Sequence, residues 1–263
     1  MPKSLPKSNL TAGSLYSQSA RLIFKRHRSL IIQPILILIL SATLAISLSR
    51  AHLDIIEQVT INQAFIFQAI KDHLILSFAS AGLILLVAIP FGILLTRRRY
   101  KKFTPVVLIF ANIGQAFPAV GVLILAGIIF GFGKPVAIFS FAAFGILPIL
   151  RNTIIGLQEI DPFIIESAMG MGMTAKQALR QIELPLAVPV ILAGVRTTLI
   201  LTVGVATLGV FVNGGGLGTL IIPGLKLNRE LVLVTGGVLT VIVAFTMDWL
   251  ARAAEELLRP RGI

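Results

Sequence analysis

The sequence predicts an all-α polytopic membrane protein of about six transmembrane helices, with both termini in the cytosol. Hydrophobic residues make up 56% of the 263 positions and charged residues only 13%, a balance that excludes an ordinary soluble domain. Several apolar segments reach the roughly 20 residues that a helix needs to cross the bilayer core. The Lys and Arg residues between these segments are divided unevenly, and this division sets the orientation.

The six spans are expected at the apolar segments 30–49, 73–96, 103–130, 135–157, 184–211 and 230–252. The third segment is longer than a bilayer requires and contains Pro118. We expect its helix to kink or break there, because proline has no amide hydrogen and its ring clashes with the preceding turn. Pro189 is expected to bend the fifth span for the same reason.

The segments outside the core spans are expected to lie at the two membrane surfaces. Residues 1–29 form a basic, polar tail that we expect to be disordered in the cytosol. They do not resemble a cleaved signal peptide, since the apolar run that follows is longer than a signal core. Residues 54–72 are expected to form amphipathic turns along the outer interface, or to pack as a loop on the bundle. Residues 253–263 form a second cytosolic tail.

Basic residues cluster on one side of the predicted bundle. Seventeen of the 23 Lys and Arg residues fall in the N-terminal tail, in the loop 97–102, between Arg151 and Glu183, or after Trp249. Five fall in the opposite loops, and Arg196 lies inside the fifth span. By the positive-inside rule, the tails and both loops face the cytosol. The net charge of +12 is therefore explained by cytosolic loops and anionic lipid headgroups, without nucleic-acid binding.

The cytosolic loop 158–183 carries signals for two short helices that meet at a corner. Asp161 is expected to cap the first helix, with Pro162 at its first position. Gly172 is expected to end that helix in the left-handed conformation that a C-terminal cap requires. Thr174 and Gln177 have the spacing of a capping box, which predicts a second helix.

Such a loop is better explained as a docking element than as an amphipathic segment lying on the membrane. Charge and apolarity account for an amphipathic helix, but not for two caps and a glycine corner together. The small residues Ala168, Gly170 and Gly172 are expected to let a partner approach the backbone, and Glu166 to accept from a partner's donor. On the second helix, one face is expected to be apolar, comprising Ala175, Ala178, Leu179 and Ile182.

The spacing E-x-A-x3-G-x9-I-x-L-P resembles the EAA signature loop of the permease subunits of ATP-binding-cassette (ABC) importers, which have a MetI-like bundle. It is carried here by Glu166, Ala168, Gly172, Ile182, Leu184 and Pro185, with Ser167 in place of the second alanine. In that family the loop is a coupling helix seated in a groove of the ATPase subunit. The resemblance therefore implies an ATPase-coupling role for Glu166, Ser167, Ala168, Gly170, Gly172, Leu184 and Pro185.

Further stretches resemble the osmoprotectant branch of this family, which imports glycine betaine, carnitine, choline or proline. They are residues 114–126, 147–162, 182–197 and 213–218, within a permease core of 73–252 that follows the first helix and outer segment 30–72. Methionine-type and other small-solute permeases share the architecture. The resemblance implies a cytosolic ABC ATPase dimer, a second permease subunit, identical or different, and residence in the plasma (inner) membrane of a prokaryote. A separate extracytoplasmic solute-binding protein is expected, since the chain ends at Ile263 without a fused binding domain.

The sequence has no nucleotide-binding lysine loop, so ATP and magnesium are expected to be used by partner subunits, and we expect this chain to bind no cofactor and no metal. A self-powered secondary transporter would need an acidic coupling residue at membrane depth, and the predicted spans hold no well-centred Asp or Glu. A membrane enzyme is disfavoured because no clustered His, Cys or carboxylate constellation is present.

Polar groups at membrane depth are the candidates for the translocation path, because they are costly in lipid and usually face an interior. The candidates are Asn112, Gln115, Phe117, Thr198, Thr202, Thr207 and Asn213. Phe117 is included because an aromatic face attracts a quaternary ammonium ion. Each threonine has the alternative of a hydrogen bond to its own helix. The glycine run 214–218 is interpreted as an outer gate or as the turn before the last span, and Gly204 and Gly209 as sites of close helix packing.

Overall fold

A computed structural model describes residues 12–258, and side chains from 30 to 256. Within that range the chain consists of helices joined by short loops, without a β-strand. The α-helices are α1 (Ala12–Arg50), α2 (Ile55–Thr60), α3 (Gln63–Thr96), α4 (Thr104–Ala116), α5 (Ala119–Phe130), α6 (Lys134–Gln158), α7 (Pro162–Gly170), α8 (Ala175–Ala178), α9 (Leu184–Ala206), α10 (Gly218–Lys226) and α11 (Glu230–Leu258). Three shorter segments complete them, namely the 3₁₀ turns Lys101–Phe103 and Thr207–Val212 and the π-helical turn Leu179–Glu183.

Five helices of the described chain are long and apolar enough to cross a membrane, and a bent pair makes a sixth span if it is counted as one. This number agrees with the prediction. The bent pair is α4 and α5, which meet at 92° around Phe117 and Pro118. The predicted break at Pro118 is therefore confirmed.

The centre of the bundle is formed by α3, α6 and α9. Small residues set their spacing: a Cβ atom built on Gly194 of α9 would lie 2.8 Å from the Asn152 side chain of α6, and one on Gly92 of α3 would lie 2.8 Å from Thr153. Such close approach is how helices pack where lipid supplies no hydrophobic drive. α11 packs on α9 and α10, and α1 lies outside it.

A buried ionic cluster holds α1 and α11 to this centre. Asp248 of α11 is paired with Arg196 of α9 and with Arg252, and accepts a hydrogen bond from the Gln33 side chain of α1. The Trp249 indole donates to the Leu30 carbonyl at 2.9 Å. A charge inside a span is costly unless it is paired, and here both signs are present.

Two predicted boundaries are wrong at the start of the second span and in the outer segment. α3 begins at Gln63 rather than at residue 73, because the Asn62 side chain caps it by accepting from the Phe65 amide at 2.8 Å. The predicted amphipathic segment 54–72 is therefore reduced to the short helix α2. That helix begins with a capping box between Asp54 and Glu57.

The predicted tails also need correction. The backbone is helical from Ala12 and, in α11, as far as Leu258, where disorder or a tail was expected. Extending an existing helix requires no new nucleation, so the spans continue into polar sequence. The rest of these tails, residues 1–11 and 259–263, lies outside the described residues.

The second helix of the loop 158–183 is not separate from the fifth span. α8 continues through the π-helical turn into α9, so helix extends from Ala175 to Val212. Pro185 explains the wide turn, because it has no amide to bond the carbonyl four residues before it and its ring needs room there. A further short helix, α10, follows the glycine run and was not predicted.

Candidate functional site

The segment Asp161–Glu183, here called the island, has the local structure that its sequence predicts at both caps. The Asp161 carboxylate accepts from the Phe163 amide at 2.9 Å, and Pro162 opens α7. Thr174 and Gln177 form a reciprocal capping box, with the Thr174 amide donating to Gln177 Oε1 at 2.8 Å and the Gln177 amide to Thr174 Oγ1 at 3.3 Å. Both caps are confirmed.

The glycine corner is also confirmed. Gly172 has φ +91°, a left-handed conformation, and α7 ends just before it at Gly170. The Met173 amide donates to the Ala168 carbonyl at 3.1 Å, and the Gly172 amide to the Met169 carbonyl at 3.0 Å. These two bonds are those of a Schellman motif, which satisfies the last carbonyls of the helix and fixes the direction of the chain.

The exposed surface of α7 combines apolar and polar side chains. Phe163 and Met171 are 72% and 75% exposed, with Glu166 and Ser167 also exposed between them. Ala168 is only 1% exposed, so its predicted contact with a partner is wrong in this structure: the methyl group packs inside the corner. Gly170 and Gly172 remain open, with no atom within 4 Å of a built Cβ.

The second arm of the island presents a polar, basic face. Thr174, Lys176, Gln177, Arg180 and Gln181 line an open cleft. Ala178 is buried on the opposite side, as predicted, whereas Ala175 is exposed and departs from the predicted apolar face. The cleft carries two cationic side chains and no carboxylate.

Leu184 and Pro185 occupy a different environment from the exposed part of the island. Both are partly buried at the start of α9. Leu184 packs on a core cluster that includes Leu157, Ile160 and Ala187. These two residues therefore join the island to the bundle.

An ion pair that was not predicted also ties the island to the bundle. Arg97, at the C-terminal end of α3, donates from its two terminal nitrogens to the two oxygens of Glu183, at 3.1 and 2.6 Å. Glu183 is 4% exposed. The two residues are 86 positions apart in sequence, and the distribution of Lys and Arg predicted only that both loops lie on the same side of the membrane.

The predicted path residues on α9 are divided by the structure. Thr198 and Thr202 are fully buried, with Thr198 donating to the Gly145 carbonyl of α6 at 3.4 Å and Thr202 to the Leu199 carbonyl at 2.9 Å. Both hydroxyls are satisfied between packed helices, and the bond of Thr202 within α9 is the alternative given above for the threonines. Thr207 is partly exposed and donates to the Gly204 carbonyl at 2.7 Å.

The remaining predicted path residues are exposed or half-buried, on α4 and at the ends of helical segments. Asn112 is exposed on α4, with its amide donating to the Leu108 carbonyl at 2.6 Å, and Gln115 is half-buried one turn further on. Phe117 is exposed at the break between α4 and α5. Asn213 is exposed and left-handed at φ 57°, where it ends the 3₁₀ turn that follows α9.

The glycine run 214–218, called the outer turn, is held tightly by α3. The His73 ring accepts from the Leu217 amide at 3.3 Å, and a Cβ on Gly215 would lie 2.7 Å from the Asp72 carboxylate. Asp72 also accepts from Lys134 at 2.5 Å and from Gln68 at 3.0 Å. These contacts favour the interpretation of the run as a fixed turn over its interpretation as an outer gate.

The helical bundle with a capped, two-helix loop at one end agrees with the class of ABC importer permeases, and comparison with known proteins shows that class. The family described as "Binding-protein-dependent transport system inner membrane component" matches residues 88–260. The chain belongs to this family, and it is a multi-pass inner-membrane permease subunit of a MetI-type ABC importer.

Individual relatives are similar over most of their length. The glycine betaine/carnitine/choline transport system permease protein OpuCB of Bacillus subtilis is 38% identical over 73% of this chain and 88% of its own. The osmoprotectant import permease protein OsmY of Salmonella typhimurium is 40% identical over 73% and 82%. A chain of the MetNI methionine ABC transporter, solved in inward-facing conformations, superposes with a TM-score of 0.66 at 24% identity, over 76% of this chain and all of its own.

Proposed function

We propose that this chain imports a small compatible solute of the glycine betaine, choline or carnitine type. A solute-binding protein delivers the solute from outside, and separate ATPase subunits supply the energy. The proposal rests on the relatives, which are named for these solutes and match the chain at 31–40% identity. Import of methionine or proline is the alternative, and the structural likeness to a methionine transporter supports the shared fold alone.

The termini and the island are proposed to face the cytosol. Two ion pairs support this arrangement. Arg97 pairs with Glu183 at one end of the bundle, so the loops 97–102 and 158–183 lie on the same side. Lys134 pairs with Asp72 at the other end. These partners are the ones that the charge count assigns to the same side. The excess of Lys and Arg on the island side supports its cytosolic placement.

The island is proposed to dock on the ATPase. The observation that carries this is the exposed apolar surface of α7 and of the corner that follows it, outside the spans. Phe163 and Met171 form this surface, on a scaffold fixed by two caps. An apolar patch rimmed by polar groups is typical of a protein interface. Glu166, Ser167, Gly170 and Gly172 belong to its exposed rim, and Lys176 with Arg180 favours an acidic partner surface beside it.

A second permease subunit, identical or different, is proposed to pack on the exposed side of α9. That side carries Ala193, Thr197 and Gly204, and no atom lies within 4 Å of a Cβ built on Gly204. Small residues at this spacing suit close packing of two helices in a membrane. The path is then proposed to run between the two subunits, near Asn112, Gln115, Phe117, Thr207 and Asn213.

The substrate is tested with the solute-binding protein and the ATPase that function with this chain. Isothermal titration of the binding protein with glycine betaine, choline, carnitine, proline and methionine gives its preference. Uptake of the same solutes into proteoliposomes that hold the whole complex shows what passes the permease. We expect a quaternary ammonium solute to be preferred in both assays. Preference for methionine or proline would contradict the proposal while leaving the ABC importer class intact.

A further inference from the structure

The contact between Arg97 and Glu183 has the geometry of a fixed joint. Two parallel hydrogen bonds between a guanidinium and a carboxylate fix orientation as well as distance. Glu183 is the last residue of the π-helical turn and of the island, so the joint lies at the end of the island, directly before α9. Because the carboxylate is buried, separating it from its partner would leave an uncompensated charge.

The opposite ends of the same two helices are also joined. α9 leads through a 3₁₀ turn to the outer turn, and α3 holds that turn with the consecutive residues Asp72 and His73. His73 is fully buried and accepts from the Leu217 amide. A side chain at Gly215 would collide with the Asp72 side chain, so the backbone of the outer turn lies directly against that side chain.

α3 is continuous between these joints. It has 34 residues, which corresponds to about 50 Å at 1.5 Å per residue, and it stays helical through Pro90. α3 and α9 also pack on each other and on α6 between the two joints. Two helices joined at both ends and packed in between have little freedom to slide.

We propose that α3 and α9 form one rigid frame, and that the Arg97–Glu183 pair makes the island move both helices together. Arg97 and Glu183 are positioning residues: they touch no solute, and they pass the displacement of the island to α3 as well as to α9. The outer joint then carries the displacement to the outer turn. The pair stays closed throughout the transport cycle. This inference rests on the proposed docking of the island on the ATPase.

The first test removes the pair without leaving a lone charge. The double variant Arg97→Gln with Glu183→Gln is purified with its ATPase and reconstituted. We expect normal assembly and ATP hydrolysis, with glycine betaine transported per ATP reduced about tenfold, within the usual range of coupling effects. The exchanged pair Arg97→Glu with Glu183→Arg should restore most of the ratio of glycine betaine transported to ATP hydrolysed. Arg99→Gln, which removes the same charge from the same loop, should leave it unchanged.

The second test asks whether the pair opens during the cycle. The chain has no cysteine, so Arg97→Cys with Glu183→Cys introduces a unique thiol pair. We expect poor coupling in the reduced protein, and recovery when a short bis-methanethiosulfonate reagent bridges the thiols, reversed by reductant. A bridged protein that hydrolyses ATP but no longer transports would overturn the proposal, as would normal coupling in the double Gln variant. Failure of the wild-type chain to retain any ATPase would instead contradict the docking proposal itself.

Discussion

At the scale of single residues, some glycines are required because a side chain would not fit, and others because the backbone is left-handed. Gly209 was predicted to permit close packing, and this is confirmed, since a Cβ there would lie 2.9 Å from Leu76 and 3.2 Å from the Gly215 carbonyl. Gly204 has no close neighbour within the chain, so close packing there stays a prediction for a second subunit. Gly172 is open too, so its requirement is the left-handed backbone alone.

Gly172 therefore allows a matched pair of substitutions at one site. Gly172→Val should loosen the corner, because a left-handed conformation costs an ordinary residue about 1–2 kcal/mol. Gly172→Asn, of similar size, should be tolerated, since Asn adopts this conformation at helix ends. Co-purification of the ATPase with each variant measures the effect. We expect a several-fold loss for Val and little change for Asn, and equal losses would show that bulk, and not backbone conformation, matters at this corner.

At the scale of elements, α1 packs mainly on α11 and is held there by the Asp248 cluster. Asp248→Asn would leave Arg196 in a span without its counter-charge. Breaking a buried pair from one side costs about 3–5 kcal/mol. We expect a clearly lower unfolding temperature of the detergent-purified protein.

Glu255→Gln is the control for that substitution, because it removes an acidic charge from the same helix outside the cluster. We expect it to leave the unfolding temperature within the error of the wild type. An Asp248→Asn protein as stable as the control would show that the cluster contributes no net stability to the attachment of α1.

Helix existence and type followed from the sequence wherever a local rule decided them. The spans follow from hydropathy, and the caps of α7 and α8 from Asp161, Thr174 and Gln177, because each of these effects acts within a turn or two. The start of α3 was missed although Asn62 is a good cap, since the apolar pattern weakens before residue 73. The π-helical turn was missed because it depends on how Pro185 is accommodated in a longer helix.

Contacts between distant parts of the chain were not predictable in the same way. Arg97 and Glu183 are two of many charges on one side, and nothing in their spacing selects them as partners. Thr198 and Thr202 look like path residues in sequence, and only packing against α6 or hydrogen bonding within α9 shows that their hydroxyls are occupied. The path assignments for exposed residues stay predictions.

At the scale of the whole molecule, the exposed side of α9 predicts that the chain works as part of a pair. Gly204→Leu adds a large side chain to open space within one subunit, so the subunit should fold and enter the membrane. The added side chain should nevertheless disrupt the packing of a second permease on that side. Mass measurement of the purified complex should show loss of one permease per assembly.

Gly82→Leu is the matched control for pairing, because a Cβ on Gly82 of α3 also meets no atom within 4 Å. We expect Gly82→Leu to keep the mass of the complex unchanged. An intact pair in the Gly204→Leu protein would place the second subunit on another face of the bundle.

The most direct test of the account is uptake of glycine betaine by proteoliposomes containing the complex that co-purifies with this chain, with binding protein outside and ATP inside. We predict uptake that requires both, and that stops when the ATPase is inactivated by mutation of its nucleotide-binding lysine. Equal uptake by this chain alone, without any ATPase, would contradict the assignment of the island as the element through which the transporter is powered.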